Sequence, residues 1–178
     1  MLKEWLSKLF KPDYHFNRIW NIPVEFVTND IRAMIIDLDN TLALKGECIS
    51  MDRVFDWIYS VRLMYPGIKI VILSNLVFEN EKRLNRLITA ANDIHAEYYA
   101  AYRGELKPKR EAFLNALKLV NCDPQHAIMI GDQLFTDIYG AKRVGIKWTF
   151  LVDPLGLDSW FTAPKRWLEK PLKWYLEF

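Results

Sequence analysis

The chain has 178 residues, of which 51% are apolar and 26% are charged, and its 24 basic against 22 acidic residues leave a formal net charge of +2. This length fits one domain with a hydrophobic core, and the composition excludes a disordered chain. The near balance of charge also disfavours a protein dedicated to binding nucleic acid or another polyanion.

The N-terminal residues 1–11 are predicted to form an amphipathic helix. Its apolar side chains recur at helical spacing: Leu2, Trp5, Leu6, Leu9 and Phe10. Three lysines occupy other positions: Lys3, Lys8 and Lys11. Such a helix suits the surface of an anionic membrane, and packing against the rest of the domain is an equal alternative.

Nothing in the sequence indicates export or a membrane span. No uninterrupted apolar run approaches the roughly 18 residues that cross a bilayer. The N-terminus does not resemble a cleavable signal, and Cys48 and Cys122 fit no metal-ligand spacing. We therefore expect no transmembrane segment and a reducing, cytoplasmic environment. His15, His95 and His126 show no partner spacing that would indicate a ligand or a base.

Strand-length apolar runs then alternate with segments of helical period. The runs cover residues 32–36, 68–73, 126–130 and 148–152, with a weaker one at 96–100. Segments 54–62, 84–91 and 113–120 each place their apolar residues on one helical face. This alternation predicts a three-layer α/β fold, with a mostly parallel sheet covered by helices on both faces. Ligands bind such sheets at the carboxyl ends of the strands.

The first of these strands ends in two acidic residues. Asp37 follows the strand directly, and the alternation of an extended chain puts Asp39 on the same side. Two buried like charges are costly unless a cation or a proton neutralises them. A capped turn at Asp39, Asn40 and Thr41 is the plain structural alternative.

Three later stretches carry polar groups that suit phosphoryl transfer. The second strand ends at Ser74 and Asn75, and Lys107 precedes a helical segment. Gly131 and Asp132 end another strand, and Asp137 follows five residues later at the start of a helix predicted over 134–143. Hydroxyl, amide, ammonium and carboxylate groups at one edge could hold a phosphate and a cation.

These residues resemble the haloacid dehalogenase superfamily, in its phosphatase branch, over about residues 30–153. More narrowly, the chain is similar to the YqeG-type phosphatases, which include phosphatidylglycerophosphate phosphatases. The similarity lies in the segments 12-PDYHFNRIWNI-22, 36-IDLDNTL-42, 106-LKPKREAF-113, 131-GDQLFTDIYGAKRVG-145 and 151-LVDPL-155. Leu76 departs from the pattern, because a second Asn is expected there.

The resemblance implies a Mg²⁺-dependent phosphomonoester hydrolase that acts through an aspartyl-phosphate. Asp37 would be the nucleophile and a metal ligand, together with Asp132 and the backbone carbonyl of Asp39. The Asp39 side chain would be the general acid and base, and Lys107 would stabilise the charge of the phosphate.

Other residues receive supporting roles. Ser74, Asn75 and Asn40 are expected to bind substrate, Asp137 to orient Lys107 or a metal-bound water, and Thr41 to stabilise the turn with its hydroxyl. Lys109 is a rival for the phosphate lysine, but Pro108 would place it inside the following helix with its side chain in solvent, so we favour Lys107.

The intervals 41–74 and 74–107 are too short for an inserted cap domain, so we expect a single capless domain over 1–178 with an open site. An open site suits a phospholipid head group, and phosphatidylglycerophosphate is the leading substrate.

The Trp- and lysine-rich residues 157–178 could contact the inner face of an anionic membrane or pack on the domain. Pro164 and Pro171 argue against one continuous helix there. A phosphatase for soluble sugar, nucleotide or protein phosphates and a non-catalytic adaptor are the alternatives.

Overall fold

The computed structural model describes residues 1–77, 80–156 and 163–177. Six strands, β1 to β6, form one sheet: Tyr14–Phe16, Ala33–Ile36, Lys69–Asn75, Glu97–Ala101, Ala127–Gly131 and Trp148–Val152. The described residues form six α-helices, α1 to α6: Leu2–Phe10, Asp52–Met64, Glu81–Asp93, Arg110–Leu119, Tyr139–Val144 and Ala163–Leu176. Short 3-10 helices cover Ile19–Asn21, Val24–Phe26 and Pro124–His126, and a π-helix covers Leu134–Ile138.

All neighbouring strands of the sheet are parallel, in the order β1-β6-β5-β2-β3-β4. The chain runs from β2 outward through β3 to β4, and then returns to the other side of β2 through β5 and β6. The strand order therefore reverses between β2 and β5, which is where open parallel sheets form a crevice for ligands.

Strand alternation divides the core between the two faces of the sheet. In β2, Met34 and Ile36 belong to one apolar cluster and Ala33 and Ile35 to the other. Helices α2 and α3 supply buried residues to the first cluster, and α4 and α5 to the second. The predicted three-layer α/β fold is therefore confirmed.

Two elements differ from the sequence prediction. Strand β1 was not predicted, because three residues at the sheet edge are too short to show a period. The helix predicted over 134–143 is present, but its first five residues, Leu134–Ile138, form a π-helix and only α5 is α-helical. In the wider turn, the Asp137 side chain reaches back and accepts a hydrogen bond from the Gln133 N–H at 3.0 Å.

The two ends of the described chain pack together. Phe10 of α1 stacks on Tyr139 of α5 with ring centroids 4.6 Å apart, and Lys3 forms a 2.6 Å ion pair with Glu177 beside α6. The expectation that prolines interrupt the C-terminal helix is wrong, since α6 is continuous. Pro164 lies in its first turn, where no amide donor is needed, and Pro171 lies inside the helix at an exposed position.

Residues 157–162 of the predicted C-terminal extension lie outside the described residues. None of the helices in the described ranges combines the length and the apolar character that crossing a bilayer requires.

Candidate active site

The polar residues singled out from the sequence lie at the carboxyl edge of the sheet. Asp37 directly follows β2 and extends its pairing, because its N–H donates to the carbonyl of Ile130 in β5 at 2.9 Å. Asp132 directly follows β5, and Ser74 lies near the end of β3. Parallel strands thus bring residues from distant parts of the sequence to the point where the strand order reverses.

Lys107 connects these strand ends. Its ammonium group forms an ion pair with Asp37, a second ion pair with Asp137 at 2.8 Å, and a 3.0 Å hydrogen bond to the carbonyl of Leu73. The side chain of Lys107 is only 3% exposed, and those of Asp37 and Asp137 are 9% and 1% exposed. A buried cation therefore joins two buried carboxylates.

Burial and charge act in opposite directions on the members of this cluster. Burial raises the pKa of Asp37 from its ordinary 3.8 to about 7, although Lys107 opposes the shift and Asp137 adds to it. For Lys107, burial alone would lower the pKa, but the charges of Asp137 and Asp37 outweigh burial and raise it above the ordinary value.

The three carboxylates could hold a metal ion. Asp37, Asp132 and Asp137 each offer an oxygen, and these oxygens lie within 4.8 Å of one another. Oxygen donors of this kind suit Mg²⁺. Carboxylates buried this close together repel one another, and a cation bound between them would relieve that repulsion. The donor set therefore fits the ion expected from the sequence.

Asn75 holds the backbone of Lys107 through both ends of its amide. Its Oδ1 accepts from the Lys107 N–H at 2.8 Å, and its Nδ2 donates to the Lys107 carbonyl at 3.3 Å. Asn75 was expected to bind substrate. That role stays a prediction; what the geometry adds is that the Asn75 side chain fixes the backbone of Lys107.

Gly131 allows Asp137 to approach the end of β5. A Cβ at this glycine would lie 2.5 Å from the Asp137 carboxyl carbon, closer than any real contact. The Oδ2 of Asp137 accepts from the Gln133 N–H, so the carboxylate is held beside Lys107 from two directions. Gly131 therefore has a packing role, because it leaves room for the Asp137 carboxylate beside Lys107.

Main-chain hydrogen bonds close the turn after Asp37. The N–H groups of Leu42 and Ala43 both donate to the carbonyl of Leu38 at 3.1 Å. The hydroxyl expected to stabilise this turn does not do so, since the Thr41 Oγ1 is buried without a hydrogen-bond partner. Asn40 has a φ of 64° and a buried side-chain oxygen that also has no partner. The backbone therefore fixes the turn and leaves both side chains available.

Lys107 and Lys109, the two candidates for the phosphate lysine, lie in different environments. Lys109 is exposed, as predicted, but it lies at the N-cap of α4 and not inside the helix, because α4 begins only at Arg110. Its ammonium donates to the carbonyl of Gly104 at 2.7 Å. Of these two lysines, Lys107 reaches the carboxylates of Asp37 and Asp137.

Arg86 of α3 is a site residue that the sequence did not reveal. Its guanidinium forms a 2.6 Å ion pair with Asp39 and donates to the carbonyl of Glu47 at 3.0 Å. In the sequence, Arg86 lies among the apolar positions of α3 with no motif around it. Only the packing of α3 over the segment after Asp39 brings it to the site.

Known proteins that are similar to this chain include phosphatases. The family described as mitochondrial PGP phosphatase matches residues 5–156. The chain is 30% identical over 166 residues to a probable phosphatase, YqeG, of Bacillus subtilis, and the match covers 93% of this chain and 90% of that protein. A glyceraldehyde 3-phosphate phosphatase of Pyrococcus furiosus is 52% identical over 46 residues, which is 26% of this chain and 19% of the relative.

Solved structures share the fold at low identity. A putative haloacid dehalogenase-like phosphatase of Mesorhizobium loti has a TM-score of 0.58 at 16% identity, covering 82% of this chain and 87% of that one. An uncharacterised protein of Listeria monocytogenes has a TM-score of 0.56 at 19% identity, covering 80% of this chain and 99% of that one. These likenesses concern the fold alone.

Proposed function

The chain belongs to the family described as mitochondrial PGP phosphatase, within the phosphatases of the haloacid dehalogenase superfamily, and from this premise we propose that it hydrolyses phosphatidylglycerophosphate through an aspartyl-phosphate. The observation that carries the proposal is the convergence of Asp37, Lys107 and Asp132 at the reversal point of the sheet. An attacking carboxylate, a fixed ammonium and a cation-binding pocket are the groups that transfer of a phosphoryl group requires.

In the proposed reaction, a carboxylate oxygen of Asp37 attacks the phosphorus and the ester P–O bond breaks. Asp39 gives a proton to the departing alcohol oxygen. Water then attacks the phosphorus of the aspartyl-phosphate, Asp39 takes a proton from this water, and the bond to Asp37 breaks to release inorganic phosphate. Lys107 and Ser74 hold the phosphate oxygens throughout.

The proposed cofactor is Mg²⁺. Asp37, Asp132 and the backbone carbonyl of Asp39 would hold it, and Asp137 would keep Lys107 in place, consistent with their 2.8 Å ion pair. Bound there, the ion would neutralise the repulsion between the carboxylates and the phosphate dianion. Removal of divalent ions with a chelator should abolish phosphate release, and added Mg²⁺ should restore it.

An open site supports a substrate that is part of a large surface. In the described residues, only α2 and β3 lie between Thr41 and Ser74, and only α3 and β4 lie between Asn75 and Lys107, which supports the proposal of a capless domain. We place the enzyme at the inner, cytoplasmic face of a membrane. Exposed aromatic residues support this placement, since Trp5 of α1 is 58% exposed and Trp174 of α6 is 81% exposed.

The deciding experiment measures inorganic phosphate released from vesicles that contain phosphatidylglycerophosphate. A soluble panel of glyceraldehyde 3-phosphate, sugar phosphates, nucleotides and a phosphopeptide is assayed in parallel, with Asp37→Asn as the inactive control. We expect higher kcat/KM for the lipid than for any soluble ester. Preference for a soluble ester would contradict the lipid substrate and leave the phosphatase chemistry intact. An Asp37→Asn variant with full cellular function would instead favour a non-catalytic adaptor.

A further inference from the structure

The guanidinium of Arg86 connects three parts of the chain. It extends from α3, its Nη2 donates to the Oδ1 of Asp39 at 2.6 Å, and its Nη1 donates to the carbonyl of Glu47 at 3.0 Å. The residues that it contacts are 47 and 39 positions away along the sequence. This planar fork therefore fixes Asp39 and the segment that follows it against the same helix.

The contact with Asp39 is well shielded from solvent. The Arg86 side chain is 10% exposed and that of Asp39 is 26% exposed. Ion pairs that are largely removed from water hold their geometry more firmly than exposed ones, which contribute little. The Arg86–Asp39 ion pair therefore belongs to the structure of the active site and differs from an exposed surface ion pair.

The contacts on Asp39 leave one of its oxygens free for chemistry. The Gly46 N–H also donates to Oδ1, at 3.3 Å, so both contacts that the described chain makes with this carboxylate fall on the same oxygen. Oδ2 is then the oxygen that can exchange a proton. Because two groups donate to Oδ1, they fix the rotation of the whole Asp39 carboxylate. They therefore also fix the direction in which Oδ2 points.

We propose that Arg86 is a positioning residue that holds Asp39 in the orientation for proton transfer to the leaving alcohol. The inference rests on the proposed phosphatase function, and it adds a residue from α3 to the reaction. In the step concerned, the ester P–O bond breaks, its electron pair stays on the alcohol oxygen, and the proton moves from the Asp39 carboxyl group to that oxygen. Arg86 itself neither gives nor takes a proton.

Substrates with different leaving groups distinguish a role of Arg86 in positioning Asp39 from a general structural role of Arg86. An alkoxide is a poor leaving group and depends on protonation, whereas p-nitrophenolate departs without it. General acid catalysis contributes about 10²- to 10⁴-fold to the rate. Loss of the correct orientation of Asp39 should therefore lower kcat/KM for an alkyl ester and leave kcat/KM for the aryl ester nearly unchanged. The value of kcat/KM is the suitable quantity, because it reports the steps up to departure of the leaving group.

The experiment compares Arg86→Ala and Arg86→Lys with the wild type on phosphatidylglycerophosphate and on p-nitrophenyl phosphate. If the wild type does not hydrolyse the lipid, glycerol 1-phosphate replaces it as the alkyl ester. For Arg86→Ala we expect kcat/KM to fall about 100-fold on the alkyl ester and less than about 5-fold on the aryl ester, and kcat on the alkyl ester to fall as well. Arg86→Lys keeps the charge but cannot contact both acceptors, so its loss should be intermediate.

Arg83→Ala is the matched control, because it removes the same type of side chain from an exposed position of α3. It should leave both substrates unchanged. Equal losses of kcat/KM on the two esters, or an alkyl-ester loss confined to KM, would overturn the positioning role while the proposed phosphatase stands. A wild-type protein that releases phosphate from none of these esters would contradict the proposed function, and this inference with it. Arg86→Lys keeps the test valid if Arg86→Ala does not fold.

Discussion

Asn75 and Lys107 are joined by two hydrogen bonds, of 2.8 and 3.3 Å, in which one side-chain amide satisfies both backbone groups of the lysine. Asn75 ends β3, and Lys107 belongs to the loop that follows β4. The pairing therefore ties that loop to the sheet, so the buried ammonium reaches Asp37 from a fixed backbone.

Replacement of Asn75 by Ala should release the Lys107 backbone. Two hydrogen bonds of about 1 kcal/mol each suggest a loss of about 2 kcal/mol in the free energy of unfolding. Phosphate release should fall about 10- to 100-fold, because small displacements of a catalytic group are costly. Urea unfolding and the vesicle assay measure the two effects. Asn85→Ala, at an exposed position of α3, is the control, and an equal loss there would contradict the role of Asn75.

Substitution of Gly131 should move Asp137. In Gly131→Ala the new Cβ would lie 2.5 Å from the Asp137 carboxyl carbon, and the buried carboxylate could not stay beside Lys107. We expect a destabilisation of about 1 to 3 kcal/mol, typical of overpacking, together with at least tenfold slower phosphate release. Gly67→Ala meets no atom within 4 Å and should change neither property. Normal activity in Gly131→Ala would show that the position of Asp137 is unimportant.

The sequence predicts the strand ends of the site well, and the reason is physical. A parallel sheet collects its carboxyl ends at one edge, so Asp37, Ser74 and Asp132 could be brought together without knowledge of any contact. Lys107 was predictable from motif order. Continuous apolar runs likewise predict the four central strands, because both faces of each are covered.

Features that depend on packing between distant segments were not predictable. Arg86 reaches Asp39 only because α3 lies over the segment after it, and the helical period carries no trace of this contact. The same holds for Asn75, whose amide turns toward a loop 32 residues away. The hydroxyl of Thr41 was assigned to the turn from residue type, whereas backbone groups alone close it.

The stability of the Mg²⁺-free protein should depend on the protonation of Asp37. Its folded pKa of about 7 lies above the ordinary 3.8, so the folded state holds this proton more tightly than the unfolded state. The contribution of this group to stability is therefore present below about pH 4 and is lost as the pH rises toward 7. Asn cannot ionise, so Asp37→Asn should become the more stable protein as the pH increases.

Urea unfolding in a chelator at pH 5 and pH 8 tests this dependence. The free energy of unfolding of Asp37→Asn minus that of the wild type should be larger at pH 8. Mg²⁺ should stabilise the wild type more at pH 8 than at pH 5, because protons compete for the same carboxylate. A difference between the two proteins that does not change with pH would contradict the raised pKa of Asp37.

The ends of the chain should bind anionic vesicles through their exposed aromatic residues. Trp5 and Trp174 are 58% and 81% exposed, on helices that also carry exposed lysines. Burial of an aromatic side chain contributes about 1.5 to 3 kcal/mol, so Trp5→Ser together with Trp174→Ser should weaken binding at least about tenfold in sedimentation with phosphatidylglycerol vesicles. Tyr59→Ser, from a residue 68% exposed on α2, is the control and should bind as the wild type does. The double variant should keep its activity on a soluble aryl ester, because the carboxylates and Lys107 are untouched. Unchanged vesicle binding by the double variant would show that the two helices serve only to cover the domain.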